Sequence, residues 1–304
     1  MFRHILVPLD GSSLAETVVP AVDWLANQIG AQVTLVHIIE KNAPQEIHGE
    51  RHLNSESEAC DYLYSVKEKY FTPGEDGREI LVNRHVHAEE VENIARGIVE
   101  HTVELAPDLI MMCAHGRGGM RDRMAGSVAQ QVIGMGTIPV ILFHPKEGIP
   151  VASEFSRVLL PLDGDPEHEQ GLDTAADFAK GVQAQLRLLH VIHSIDSLPG
   201  ERAAASKLLP GAARAMEEAL EESACEYLTE KAAVLKKMGL EVSIEIRHGD
   251  PAKEIITSAE TWPADLAVLG THGRAGLNAF WAGSVASKVV TGSATPLLLV
   301  PVRK

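Results

Sequence analysis

Almost every distinctive motif of this 304-residue chain occurs twice, in the same order. His4-Ile-Leu-Val-Pro8-Leu9-Asp10-Gly11 reads again as Arg157-Val-Leu-Leu-Pro161-Leu162-Asp163-Gly164, and Leu35-Val-His37-Ile38 again as Leu189-His190-Val191, both displaced by 153 positions (163 − 10). Cys113-Ala-His115-Gly116, nine residues and Gly126-Ser127 return as Gly270-Thr-His272-Gly273, nine residues and Gly283-Ser284, displaced by 157 (272 − 115). Between them Cys60-Asp-Tyr-Leu63 recurs as Cys225-Glu-Tyr-Leu228, displaced by 165 (225 − 60). Changing displacements place the length differences in loops, where insertions cost little. The expectation is two tandem domains of one fold, residues 1–146 and 155–304, joined around Pro145 to Ser156 and each able to bury its own core.

Hydrophobic periodicity gives both halves one element order. Strand one (about 4–9; 157–162) leads into a helix, whose apolar stripe in the first half is Leu14, Val18, Val22 and Leu25. Strand two follows at 32–39 and 185–192, then a helix carrying Ala59, Tyr62, Leu63 and Val66, matched by Leu220, Ala224, Tyr227 and Leu228. A third strand (80–85; 242–247) and a third helix (around Val91, Ile94 and Ile98; Ile255, Ile256 and Ala259) precede the apolar fourth strand. A helix with Val128, Val132 and Ile133, or Val285, Val289 and Val290, and a last strand (139–143; 296–300) close each half. Strands alternating with helices imply right-handed crossovers, so the fold class is α/β, with two tandem doubly wound, Rossmann-like parallel five-stranded sheets. Ligands of such sheets bind at the carboxyl ends of the strands, where Asp10 and Asp163 end strand one and the Gly-rich loops end strand four.

That location gives the Gly-rich motif its chemistry. Glycines let backbone N–H groups approach an anion, and a Gly-Ser opening a helix adds unpaired N–H donors and the positive end of the helix dipole. The pattern is a phosphate cradle. The whole chain opposes it: 27 basic against 42 acidic residues give a net charge of −15, so local geometry must hold any phosphate, with distant carboxylates screened over a Debye length of about 8 Å. The same charge opposes binding to nucleic acid or anionic lipid. No apolar run approaches the roughly 18 residues that span a bilayer, so no membrane association is expected. Met1-Phe-Arg-His runs straight into strand one without an export signal, and Cys60, Cys113 and Cys225 make no disulfide framework. A cytoplasmic protein with reduced core thiols is the expectation.

Pro-Leu-Asp-Gly after strand one, His-Ile or His-Val in strand two, and Gly-x-x-Gly-(nine residues)-Gly-Ser together resemble the universal stress protein family, in two tandem copies covering the chain almost end to end. The resemblance implies strand order 3-2-1-4-5 in each domain. In the nucleotide-binding branch it implies ATP or AMP, with Mg²⁺ on the phosphates, in the cleft between strands one and four. Carried over, it gives Asp163 and Gly270 the ribose, Pro161, Leu162 and Val191 the adenine, and Gly273, Gly283 and Ser284 the phosphates, with His272, Arg274 and Val285 beside them. In the first half Pro8, Leu9, Asp10, Ile38, Gly116, Gly126 and Ser127 match, and Arg117 could meet phosphate or flank a surface loop. Cys113 replaces the first glycine, where a side chain could crowd the ribose and a positive φ would be strained, so the second site is expected to bind more tightly. The resemblance also implies last strands that pair across a two-fold axis. Here that makes the two halves an intramolecular pseudo-dimer, and a homodimer of tandem chains stays open.

Other readings compete. Asp10 and Asp163 could cap the following helix, and His37 and His190, in apolar strands, read as packed core histidines. His85 and His87 alternate onto one strand face, and Cys113 lies two before His115, but neither pair has a closed set of ligands, so no metal site is expected. An adenylating or nucleotidyl-transfer enzyme would carry Ser-Gly-Gly-x-Asp-Ser, His-Ile-Gly-His or Lys-Met-Ser-Lys-Ser, which this chain lacks, and no nucleophile–base pair stands out. The expected function is therefore regulatory binding of adenine nucleotide. A nucleotide-free interaction scaffold and a slow ATPase are the alternatives.

Overall fold

β1 (His4–Pro8) and β8 (Arg157–Pro161) are nearly continuous in Ile, Leu and Val, a composition suited to strands covered on both faces. Ile5, Leu6, Val7, Val158 and Leu159 are indeed fully buried. A computed structural model describes residues 1–47, 49–71, 79–114, 127–145, 153–165, 169–193, 210–271 and 284–302. After β1 the first half runs through α1 (Ser13–Glu16), α2 (Val19–Ile29), β2 (Gln32–Glu40), a hairpin of β3 (Glu46–Ile47) and β4 (Glu50–Arg51), α3 (Glu56–Tyr70), β5 (Val82–Val91), α4 (Ile94–Glu104), β6 (Leu109–Cys113), α5 (Ser127–Met135) and β7 (Val140–Phe143). After β8 the second half runs through α6 (Gln170–Val182), β9 (Gln185–Ile192), α7 (Pro210–Lys237), β10 (Val242–His248), α8 (Pro251–Thr261), β11 (Leu266–Thr271), α9 (Val285–Gly292) and β12 (Leu297–Pro301).

Ten of these strands form one sheet in the order β10-β9-β8-β11-β12-β7-β6-β1-β2-β5. Each half contributes its strands in the order 3-2-1-4-5, all parallel. Within the sheet, β12 and β7 meet antiparallel, with Leu297 opposite Leu142, Leu298 opposite Ile141 and Leu299 opposite Val140. Alternate strand residues face opposite sides, so Ile5 and Val7 join one core layer and Leu6 the other. Helices cover both faces.

The repeat extends to polar contacts that anchor elements. Asp108, just before β6, accepts from the backbone N–H groups of Arg3 (2.8 Å) and His4 (3.0 Å); Asp265, just before β11, accepts from those of Ser156 (3.0 Å) and Arg157 (2.9 Å). Each carboxylate holds the first strand of its half against the fourth. Glu16 accepts from Lys69 Nζ (2.9 Å) and the Tyr70 hydroxyl (3.0 Å), and Glu169 from Lys231 Nζ (2.5 Å) and the Tyr227 hydroxyl (2.7 Å), a similar contact made from non-equivalent helix positions, since Tyr227 answers to Tyr62.

Some details differ from the sequence expectations. The first helix is broken into α1 and α2, because Pro20 in the first turn of α2 supplies no N–H to continue the ladder. Val91 ends a longer β5, paired with Glu40, and does not start α4. Cys113 is buried, but Cys60 and Cys225 lie on exposed helix positions, so only one of the three thiols is in the core.

Candidate functional site

Parallel strands leave their last backbone groups and side chains facing one end of the sheet, and in the first half the ends of β1, β2 and β6 surround a cavity of about 840 Å³. That volume falls within the roughly 300–1,000 Å³ typical of small-molecule sites. Pro8, Leu9 and Asp10 enter from β1, Ile38 from β2, and Cys113 from β6, so five residues singled out from sequence line one space. Ile94 and Ile98 of α4, and Val128 and Ala129 of α5, add apolar wall.

The loop that carries Asp10 is built by local chemistry. Gly11 has φ +92°, a left-handed geometry that favours glycine, and a β-carbon there would lie 2.9 Å from Leu53. Asp10 Oδ1 accepts from the Ser12 backbone N–H (2.9 Å) and hydroxyl (2.7 Å), while the Ser12 hydroxyl oxygen accepts from Ala15 N–H and caps α1. Asp10 therefore orients the cap residue, and the capping itself falls to Ser12. In the second half Asp163 Oδ1 accepts from Asp165 N–H (3.0 Å), again over a left-handed glycine, Gly164 (φ +84°).

His37, expected to be a packed core residue, is buried, and it also lines the cavity. Its Nδ1 lies 2.8 Å from the Leu9 carbonyl, which only accepts, so Nδ1 carries the proton and Nε2 is an acceptor. Among the described residues Nε2 has no hydrogen-bond partner. Burial holds this imidazole below its ordinary pKa, outweighing the Leu9 carbonyl, which favours the charged form.

The hairpin β3–β4 supplies further wall through Glu46 and Ile47, with His52 just beyond it. It is tied down by Glu50, whose carboxylate accepts from the Ser13 backbone N–H (3.0 Å) and hydroxyl, and by an Arg51–Glu58 ion pair. His52 Nε2 lies 3.8 Å from Glu40 Oε2. Asp10, Glu40 and Glu46 thus give the cavity a carboxylate-rich rim.

Cys113 continues β6 opposite Phe143, with its Sγ 3.7 Å from Thr17 Oγ1. Neither Cys113 nor its counterpart Gly270, a β11 residue opposite Val300, has a positive φ. The strain expected at Cys113 is therefore absent, and its thiol differs from Gly270 only in occupying space. In the second half Pro161, Leu162, Asp163 and Val191 sit at the ends of β8 and β9, with the Leu162 N–H bonded to the Leu189 carbonyl (2.8 Å) as Leu9 N–H is to that of Val36 (2.9 Å). Ser284 caps α9, its hydroxyl oxygen accepting from Ser287 N–H (3.1 Å), and Val285 is the first residue of that helix. Ser127 begins α5. Gly116, Arg117, Gly126, His272, Gly273, Arg274 and Gly283 lie outside the described residues.

Comparison with known proteins agrees with the repeat. The sequence profile described as the universal stress protein family matches residues 1–144 and again 154–301. A universal stress protein of Mycolicibacterium smegmatis is 25% identical over 308 residues, covering 97% of this chain and 96% of its own length. Universal stress protein MT2698 of Mycobacterium tuberculosis is 24% identical over 318 residues, covering 97% and 95%. The crystal structure of a universal stress protein from Archaeoglobus fulgidus superposes with a TM-score of 0.66 at 19% identity, over 98% of this chain and 96% of that one, a likeness of fold. Two matches of one family profile, full-length relatives built the same way and a shared fold lead to one conclusion: this chain belongs to the universal stress protein family, as two tandem copies of its domain.

Proposed function

We propose that the protein is a stress-related regulatory binder of adenine nucleotide, taking ATP or AMP between the first and fourth strands of each half. The observation that carries this reading is the cavity of the first half, where Pro8, Leu9, Asp10, Ile38 and Cys113 converge beside the buried neutral acceptor of His37. An adenine base pairs an apolar face with an exocyclic amine. The aliphatic wall suits the first, and His37 Nε2 suits the second. The carboxylates of Asp10, Glu40 and Glu46 suit sugar hydroxyls, since an ionised carboxylate only accepts. Phosphates would then extend toward the start of α5, where helix N–H groups and the Gly-rich segment favour anions. Mg²⁺, a hard cation that keeps several waters, would ride on those phosphates.

The same reading covers the second half, through Asp163, Gly270, Gly273, Gly283 and Ser284. It makes the protein a binder and not a turnover catalyst, with at most slow hydrolysis. It also includes a cytosolic setting, which suits the exposed free thiols of Cys60 and Cys225, and pairing of the halves through β7 and β12 in solution. Calorimetric titration of the full chain with ATP and with AMP, together with mass spectrometry of ligand carried through purification, tests it. Saturable binding weakened by Asp10→Ala and Asp163→Ala is expected; no binding of either nucleotide would leave the scaffold reading in its place.

A further inference from the structure

Packing of α4 against β5 brings His85 of the strand to His101 and Glu104, neighbours one turn apart on the helix. His101, buried on α4, places Nε2 2.9 Å from Nε2 of His85 on β5, and Glu104, one turn further along the helix, places Oε2 3.9 Å from the same His101 nitrogen. One ligand atom from each of the three lies within 4.8 Å of the others. His87, two residues beyond His85 on the same strand face, stands edge-on to His101 with ring centroids 5.0 Å apart. We propose that His85, His101 and Glu104 form a site for a divalent transition-metal ion of the Zn²⁺ class, with His87 or water as fourth ligand. The site is independent of the nucleotide reading.

Hydrogen-bond direction supports the assignment. His101 Nδ1 lies 2.7 Å from the Gly97 carbonyl, which can only accept. Nδ1 is therefore protonated, and in the neutral ring Nε2 presents its lone pair toward His85. A backbone carbonyl behind a histidine is the usual outer support of a metal-ligating imidazole, fixing its tautomer and aim. Two nitrogens bound to one tetrahedral Zn²⁺ at about 2.0–2.1 Å lie roughly 3.3 Å apart, so the two Nε2 atoms need to open by only about half an ångström. Glu104 is 65% exposed, and its carboxylate can close the remaining gap by a rotamer change. Without metal, the His85–His101 contact must be bridged by a proton on His85 Nε2; with metal, His85 moves that proton to Nδ1 and offers Nε2 as ligand, so the exchange is balanced.

The second half shows what this place in the fold requires. His85 lies opposite Val36 and Glu245 opposite the equivalent Leu189 (189 − 36 = 153), while His87 lies opposite Ile38 and Arg247 opposite the equivalent Val191 (191 − 38 = 153). Ser258 and Thr261 answer to His101 and Glu104 (258 − 101 and 261 − 104, both 157). There the ring of contacts closes internally: the Ser258 hydroxyl donates to Glu245 (2.7 Å), and Arg247 donates both to Glu245 (2.5 Å) and to Thr261 (2.9 Å). The cation at that position is Arg247. In the first half histidines take the places of Glu245, Arg247 and Ser258, and a carboxylate that of Thr261, so the cation must come from solution.

The test uses the untagged full chain, stripped with EDTA, without nucleotide. Titration with Zn²⁺ alone should show one tight site per chain, Zn²⁺ should raise the melting temperature, and Co²⁺ should give the visible bands of a tetrahedral complex. His85→Gln should weaken Zn²⁺ by more than the roughly 10–100-fold that loss of an outer-sphere partner costs. Glu104→Gln, at an exposed position that leaves folding intact, should weaken it about tenfold or more and shrink the Zn²⁺-induced rise in melting temperature. Absence of stoichiometric Zn²⁺ uptake by the wild type, or wild-type affinity in Glu104→Gln together with any folded His85→Gln protein, would overturn the proposal.

Discussion

At the scale of single residues, Cys113 stands where the second half has Gly270. Cys113 has ordinary strand backbone, as Gly270 does, so Cys113→Gly relieves no backbone strain and acts only by clearing space beside Asp10. The expected outcome is tighter ATP binding by the first site, with the second unchanged, read by calorimetry on the wild type, Cys113→Gly and Asp163→Ala. His37→Leu should cost about 1 kcal/mol of ATP affinity, roughly five- to tenfold, by removing one acceptor, and should erode preference for adenine over guanine in competition titrations. Protonation adds a third expectation. Burial lowers the pKa of His4, His37, His85 and His190, so each binds its proton more readily in the unfolded chain. Their stabilising contribution is complete above the ordinary imidazole value of about 6.5 and is lost as pH falls from there through the lowered folded values. Thermal melts should therefore show a falling midpoint between neutral and mildly acidic pH, with a smaller fall in His85→Gln. Asp10 was legible from its place at the end of strand one, and Pro8, Leu9 and Ile38 through the family resemblance. His37 was not legible as a cavity residue, since an apolar strand pattern does not tell a face packed on helices from one opening on a cavity.

At the scale of elements, regular strands and helices were legible and irregular ones were not. The order of strands and helices follows from apolar periodicity in each half, and the strand order came with the family resemblance. The β3–β4 hairpin, with strands of two residues each, has no period to detect, yet it walls the first cavity. The His85–His101 contact was hidden for another reason: His101 is one turn beyond Ile98 on α4, and only packing against β5 brings it to the strand histidines. One tie on the hairpin is Glu50, whose carboxylate accepts from the first N–H of α1. Glu50→Ala should free it and remove an acidic group from the positive end of that short helix, lowering stability by about 1 kcal/mol. Release of a fluorescent adenine nucleotide from the first site, followed by stopped flow, should become faster, while a protein already carrying Asp10→Ala should show no further change. Equal release rates with and without Glu50 would mean that the hairpin does not gate the cavity.

At the scale of the whole molecule, the question is what makes two domains one sheet. The apolar last strands were legible as edges inviting a partner, and three residue pairs join β7 to β12. Three pairs alone make a short seam. The connecting segment adds an aromatic cluster: Phe155, just before β8, is fully buried, with its ring 5.7 Å from Trp24 of α2, 5.5 Å from Phe178 of α6 and 6.4 Å from Phe143 of β7. It touches aromatic rings from both halves, and nothing in its sequence neighbourhood distinguishes it from a linker residue. Truncating a buried phenylalanine costs about 3–5 kcal/mol, and here the loss falls on contacts between the halves. Phe155→Ala should therefore separate one cooperative denaturant transition into two, with each half keeping its own strand ladder and core. Residues 1–146 and 155–304 expressed separately should recombine with wild-type Phe155 and do so weakly or not at all with Phe155→Ala, measured by size-exclusion chromatography of the mixed halves. Halves that stay monomeric with Phe155 present, or a single unfolding transition in Phe155→Ala at wild-type stability, would show that neither the seam nor the aromatic cluster holds the two domains together.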